Sequence, residues 1–324
     1  MLVLLIFILL FIIGYLVIFF AADLFLDNLK EICFIYGLSP FIIGSLILGI
    51  DPEESIASII AAVNGFPYIA VGNVIGNSII ALTISFAIPA FFYKISFKSV
   101  PQYYFLLLYI CMIFIAIGFL VNYGFIVVGF IVIIIYFIYL NLNLKQLKQD
   151  SDIGINLDTN ELQNVVIQKF SQNLKRKKVI LTIIGFVFIL LGGELLIYSA
   201  EQIIKLTNIP EAFFGLVIIA FVTNVEELTL VFKSIRKKSI EIGLGGMIGK
   251  VFWNLAITFG ISGIIIVNFN FSLIILWNWF ILFILLIYFN YTAKKKQIYW
   301  KEGIILTIFL LIFLFLNFIL GILV

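Results

Sequence analysis

The sequence predicts an all-α integral membrane protein, with ten transmembrane helices in two inverted five-helix repeats. Three observations predict it. Of the 324 residues, 64% are hydrophobic and only 11% charged, with a mean hydropathy of +1.25, whereas a soluble domain carries about 25% charged residues. The apolar residues fall into ten runs, each long enough to cross about 30 Å of hydrocarbon as helix. One long polar stretch, residues 141–178, separates five of these runs from the other five. Soluble enzymes, nucleic-acid binders and secreted disulfide scaffolds are excluded together.

In chain order the spans cover about 1–22, 32–63, 67–92, 101–121, 124–140, 179–200, 208–233, 241–267, 271–290 and 302–323. The first lacks the basic start and small-residue cleavage site of a secretory signal, so it is read as a true span. Residues 1–140 then form the first repeat, 141–178 a cytoplasmic linker loop, and 179–324 the second repeat. Positive residues collect on the cytoplasmic side. With the N-terminus outside, 18 of the 20 lysines and arginines fall inside; Lys205 stands in an external loop and Lys250 within the eighth span. Both termini are expected outside a cell membrane crossed many times. Five spans per half set the halves in opposite orientations, the usual build of secondary transporters, whose site lies near the midplane. Cys33 and Cys111 sit in apolar runs with no disulfide or zinc spacing. Histidine, the commonest nitrogen ligand of transition metals, is absent.

A local pattern recurs at a constant offset of 173 residues. It reads GIDPEESIASIIAAVNGFPYIAVGNVIGNSI from Gly49 and VTNVEELTLVFKSIRKKSIEIGLGGMIGKVF from Val222. Glu53 and Glu54 map to Glu226 and Glu227, Gly72 to Gly245 and Gly76 to Gly249, without a gap. A charged carboxylate at a helix centre costs about 2.5–3.5 kcal/mol in a membrane, so Asp51, Glu53, Glu54, Glu226 and Glu227 need compensation. One reading is structural pairing with Lys250 and backbone donors. The other is a cation site, since carboxylate and carbonyl oxygens suit hard ions. Pro52 frees carbonyls near Gly49, and such irregularity is tolerated in a membrane only against protein or a cavity. Thr223 and Asn224, near Val222, are expected on the helical face of Glu227. Gly72 and Gly76, like Gly245 and Gly249, are read as close-packing surfaces that bring Asn73, Asn77 and Asn254 toward the acids.

At these residues the sequence resembles the calcium/cation antiporter superfamily, especially its sodium/calcium exchanger-like branch. The family's α-repeats read approximately G-T-S-x-P-E followed by G-N-x-x-G-S-N. Here GNVIGNSI, residues 72–79, matches the second element closely, and VTNVEEL, residues 222–228, matches the first loosely. The resemblance spans the whole topology, but only two stretches of about 30 residues carry specific motifs. It implies ten spans in two inverted halves, with Glu54 and Glu227 binding Ca²⁺ and Na⁺ in alternation. Glu53, directly after Pro52, is the rival of Glu54, because the family writes proline directly before its acid. Asn77 and Lys250 stand where the family has a small hydroxyl, Ala81 where it has an amide, and Asn254 where it has an acid or amide.

Lys250 lies too deep to reach the cytoplasm and is expected to pair with Glu227 or Glu54. With those two acids alone the site carries one net negative charge, suited to a monovalent ion; with Glu53 or Glu226 added, it balances a divalent one. The expected function is a secondary active cation antiporter working by alternating access around a midplane carboxylate site. Its expected metal ligands are Glu54, Glu227, Glu53, Glu226, Asp51, Thr223, Asn224, Asn73, Asn77 and Asn254, with Lys250 as counter-charge. The alternatives are a cation/proton exchanger with Lys250 as the titrating partner, or a transport-inactive scaffold. Enzymatic activity is not expected, since histidine and the intramembrane aspartyl protease pattern of paired YD and GxGD are both missing. No cofactor is expected; the partners are transported cations (Ca²⁺, Na⁺), protons in the alternative, and membrane lipid, with no nucleic acid.

Overall fold

The computed structural model describes residues 2–35, 50–96, 100–121, 124–152, 172–236, 240–270 and 272–323. Their helices are α1 (Leu2–Ile35), α2 (Pro52–Val63), α3 (Pro67–Phe92), α4 (Gln102–Leu120), α5 (Gly124–Asp152) and α6 (Gln172–Thr207) in the first part of the chain. Then come α7, built from Glu211–Phe213, a π-helical turn Phe214–Ile219 and Ala220–Thr223, and α8 (Val225–Arg236). Next is α9, which runs from Ile240–Trp253 through a second π turn, Asn254–Thr258, into Phe259–Ile265. α10 (Leu273–Lys295) and α11 (Trp300–Leu323) complete the set. Among the described residues, eight helices are long and apolar enough to cross a membrane. The remaining two spans contain α2 and the α7–α8 pair, and these two carry the clustered acids.

The packing repeats between the halves. α3 packs on α7 and on α11; in the same way α9 packs on α2 and on α5. α1 and α6, which open the two halves, lie against each other along much of their length. Glycine permits that approach: a Cβ on Gly14 would meet the Leu196 amide nitrogen at 2.8 Å, and one on Gly185 the Phe25 amide nitrogen at 2.8 Å. α3 is mostly buried, whereas α1 and α6 turn large apolar side chains such as Leu2, Leu9, Ile183 and Phe188 outward, where lipid replaces water. Two short strands, β1 (Ile95–Ser96) and β2 (Gln297–Ile298), pair antiparallel and tie the segment after α3 to the segment after α10.

Helix boundaries differ from the expected spans where polar residues still find partners. α1 continues past residue 22 to Ile35, taking residues 32–35 from the predicted second span. Its extension is held by Asn28, which donates to the Leu24 carbonyl at 2.7 Å, and by an ion pair at 2.7 Å between Glu31 and Lys178. α5 likewise runs on to Asp152, with Leu140 and Leu142 packed on the core. Residues 36–49, and Gly49 with them, lie outside the described residues.

The seventh span breaks at Asn224 without a proline or glycine. Side chains cause it. Thr223 Oγ1 donates to the carbonyls of Ile219 (3.2 Å) and Ala220 (3.4 Å), and Asn224 Nδ2 donates to that of Ala220 at 2.7 Å. Hydroxyl and amide groups thus compete with the backbone for helical acceptors. Asn224 itself adopts φ −94°, ψ 9°, and α8 begins afresh at Val225.

Candidate cation site

Asp51 is the N-cap of α2 and Pro52 occupies the first helical position, where its missing amide hydrogen costs nothing. Asp-Pro-Glu-Glu is therefore a helix start. Asp51 Oδ1 accepts from the Glu54 amide at 3.1 Å, leaving Oδ2 free to face across the helix packing. There it meets the ammonium of Lys250 at 2.7 Å. Glu54 Oε1 lies 2.8 Å from the same nitrogen, and Glu227 Oε1 accepts from it as well. An ammonium has three hydrogens to donate, and here it faces three carboxylates: two from the first half of the chain and one from the second. Lys250 was expected to choose between Glu227 and Glu54; it contacts both and adds Asp51.

The carboxylates of Asp51, Glu54 and Glu227 each present an oxygen within 4.8 Å of the others, and all three residues are buried. Their donors are all oxygens, the set that hard cations take. Two further acceptors stand unused among the described residues: Asn224 Oδ1 and Glu227 Oε2 are buried without a hydrogen-bond partner. In an interior where polar atoms are almost always paired, such oxygens point to a missing ligand.

The amides expected near the acids are there, in defined roles. Asn254 donates to Glu54 Oε2 at 2.7 Å. Asn73 donates to the Glu54 carbonyl at 3.2 Å and to Ser58 Oγ at 2.7 Å. Asn77 donates to Asn73 Oδ1 at 2.8 Å, while its own Oδ1 accepts from Thr223 Oγ1 (2.8 Å) and Asn224 Nδ2 (2.5 Å). Thr223 and Asn224 do not share one continuous helix with Glu227, because the chain turns at Asn224 between them. Glu53 is buried too, yet stands outside the three-carboxylate group. The side chains of Glu226 and Val222 lie outside the described residues.

Four polar residues of this network were not singled out from the sequence. Ser55 Oγ and Thr258 Oγ1 share a hydrogen bond of 2.7 Å, Trp253 Nε1 donates to Ser55 Oγ at 2.7 Å, and Ser58 receives Asn73. A usable signal existed for Thr258, four residues after Asn254 and so on its helical face. The paired-glycine expectation holds in the first half only. A Cβ on Gly76 would fall 2.0 Å from the Leu216 carbonyl oxygen, but one on Gly245 meets nothing within 4 Å.

Comparison with known proteins places this geometry. The family described as sodium/calcium exchanger protein matches residues 6–145 and 177–319. The membrane protein MJ0091 of Methanocaldococcus jannaschii, itself uncharacterized, is 26% identical over 241 residues, which is 74% of this chain and 75% of that protein. Solved structures of the sodium-calcium exchanger NCX_Mj share the fold. One soaked with 10 mM Na⁺ and 10 mM Sr²⁺ gives a TM-score of 0.59 at 20% identity, covering 96% of this chain and 98% of that one. Another, soaked with zero Na⁺ and Ca²⁺, gives 0.55 at 19% identity with the same coverage. Fold and family together define an ion-transporting membrane protein of ten spans in two inverted repeats, and not an enzyme. The chain belongs to the sodium/calcium exchanger protein family.

Proposed function

We propose that the protein is a secondary active cation antiporter that works by alternating access around the Asp51, Glu54 and Glu227 carboxylates. The observation that carries this reading is the convergence of acids from both inverted halves within 4.8 Å. An ion held there touches both repeats at once, so a change in their relative position exposes it to one side or the other. Glu54 and Glu227 bind the ion. Asp51, the unused Asn224 and Glu227 oxygens and the Asn73, Asn77, Thr223 and Asn254 network assist it, and Lys250 is the counter-charge. Two cations compete for the same oxygens: an occupied site permits closure, while an empty one, rich in buried negative charge, resists it. No covalent bond is made.

The name of the NCX_Mj structures supports Ca²⁺ and Na⁺ as the first ions to try. In the orientation that the lysine and arginine partition supports, both termini face outward, residues 141–178 lie in the cytoplasm, and the repeats comprise 1–140 and 179–324. Glu227→Gln, reconstituted in liposomes, is expected to abolish Na⁺-dependent uptake of radioactive Ca²⁺; unchanged flux rejects the assigned role. Uptake driven by a pH gradient with no Na⁺ present moves the assignment to cation/proton exchange. A purified protein that neither exchanges ions nor gains thermal stability from Na⁺, Ca²⁺ or Mn²⁺ is a scaffold.

A further inference from the structure

The 173-residue offset that relates Glu54 to Glu227 also relates Asp51 to Asn224 and Asn77 to Lys250. The coordinates turn that arithmetic into matched contacts. In one direction across the repeat interface, Asn224 of the seventh span donates to Asn77 of the third at 2.5 Å. In the other, Asp51 of the second span meets Lys250 of the eighth at 2.7 Å. The same position of the pseudosymmetric site thus holds a neutral amide pair on one side and an ion pair on the other. The two charges of that ion pair cancel.

We propose that Asp51 and Lys250 form a resident, mutually neutralising pair that takes the place of an amide pair, so that the charge available to transported ions is set by Glu54 and Glu227 alone. The site then offers two negative charges: one divalent cation balances it, or two monovalent ones, and their exchange moves no net charge across the membrane. This deepens the antiporter reading above and rests on it. Lys250 is a positioning residue in this scheme. Its ammonium bridges the two acids, and the charge it adds is already matched by Asp51.

Asp51 distinguishes this count from the one in which Lys250 subtracts from the two glutamates. A lysine opposed only by Glu54 and Glu227 leaves a single negative charge and selects monovalent ions. With the Asp51 contact of 2.7 Å, the lysine carries a partner of its own.

The test uses the full-length protein in liposomes whose membrane potential is clamped by a potassium gradient with valinomycin, with radioactive Ca²⁺ exchanged against Na⁺. Wild type is expected to reach the same Ca²⁺ distribution at every clamped potential. Lys250→Asn alone, with three negative charges, is expected to make that distribution follow the potential or to lose exchange. Asp51→Asn alone, with one, is expected to lower apparent Ca²⁺ affinity at least tenfold. The double variant Asp51→Asn/Lys250→Asn copies the Asn224–Asn77 pair and is expected to recover exchange to within tenfold of wild type, again indifferent to potential. A potential-dependent wild type overturns the proposal, as does a double variant no better than the worse single one. A purely structural salt bridge is separated by the same readout, since restored folding alone does not restore indifference to potential. Wild type with no Ca²⁺ or Na⁺ flux sinks the antiporter reading itself; wild-type exchange that Glu227→Gln abolishes but the double variant fails to rescue sinks only the paired-charge inference.

Discussion

The second span and the seventh are related by the repeat, yet they reach their irregular backbones by different chemistry. In the second, Asp51 caps a helix that Pro52 begins, and the interruption is written in residues that disfavour a continuous helix. In the seventh, Thr223 and Asn224 pull the same result out of ordinary helix with side-chain donors. The first half delivers two carboxylates to the centre; the second delivers one carboxylate and an ammonium. Inverted architecture therefore constrains where the groups stand, while the residue types are free to diverge.

The largest effect expected from that contrast is at Lys250. Lys250→Met leaves three buried carboxylates without their shared cation, and loss of one partner from a buried ion pair costs about 3–5 kcal/mol. Its repeat mate is milder: Asn77→Ala strands the Thr223 hydroxyl and the Asn224 amide, at about 1–3 kcal/mol. Thermal unfolding of the two variants in detergent measures both, and equal losses would erase the distinction between the charged and neutral sides.

Glycine sharpens the comparison further. Gly76→Ala drives a methyl into the Leu216 carbonyl on α7, an overpacking expected to cost about 1–3 kcal/mol. Gly245→Ala, facing open space, is expected to change stability by less than about 0.5 kcal/mol. A Gly245 variant as damaged as the Gly76 one would mean that the second half packs as tightly as the first. The smallest effect is at Glu211, whose Oε1 accepts from the amides of Tyr68 (2.8 Å) and Ile69 (3.2 Å) at the start of α3. Glu211→Gln keeps an acceptor and loses the charge opposite the helix dipole, for about 0.3–1 kcal/mol. A loss several times larger in the same unfolding assay would show that Glu211 does more than cap a helix.

Much of this was legible in the residues. Hydropathy gave the spans, because lipid leaves helices few alternatives, and the offset of 173 gave Glu54 and Glu227 as a pair. Preference for Glu54 over Glu53 matches the geometry: Glu54 joins the three-carboxylate group and Glu53 does not. The break at Asn224 was illegible because neither breaker residue marks it, and its cause lies in side-chain rotamers. The third partner of Lys250 was hidden for a related reason. Reading Asp51 as a residue inside a span, one expects it to point about 90° away from Glu54, at 100° per residue; as an N-cap it folds back over the first turn. Gly245 shows the limit of motif reading, since a GxxxG spacing says that close approach is possible and only a neighbour makes it real.

The clasp at Glu211 bears on how the chain is made. The amides of Tyr68 and Ile69 open α3 and receive their acceptor from a residue about 140 positions later, so a ribosome has to finish most of the polypeptide before that helix end is satisfied. Either half produced alone would carry raw ends into the bilayer, and the two belong to a single act of assembly.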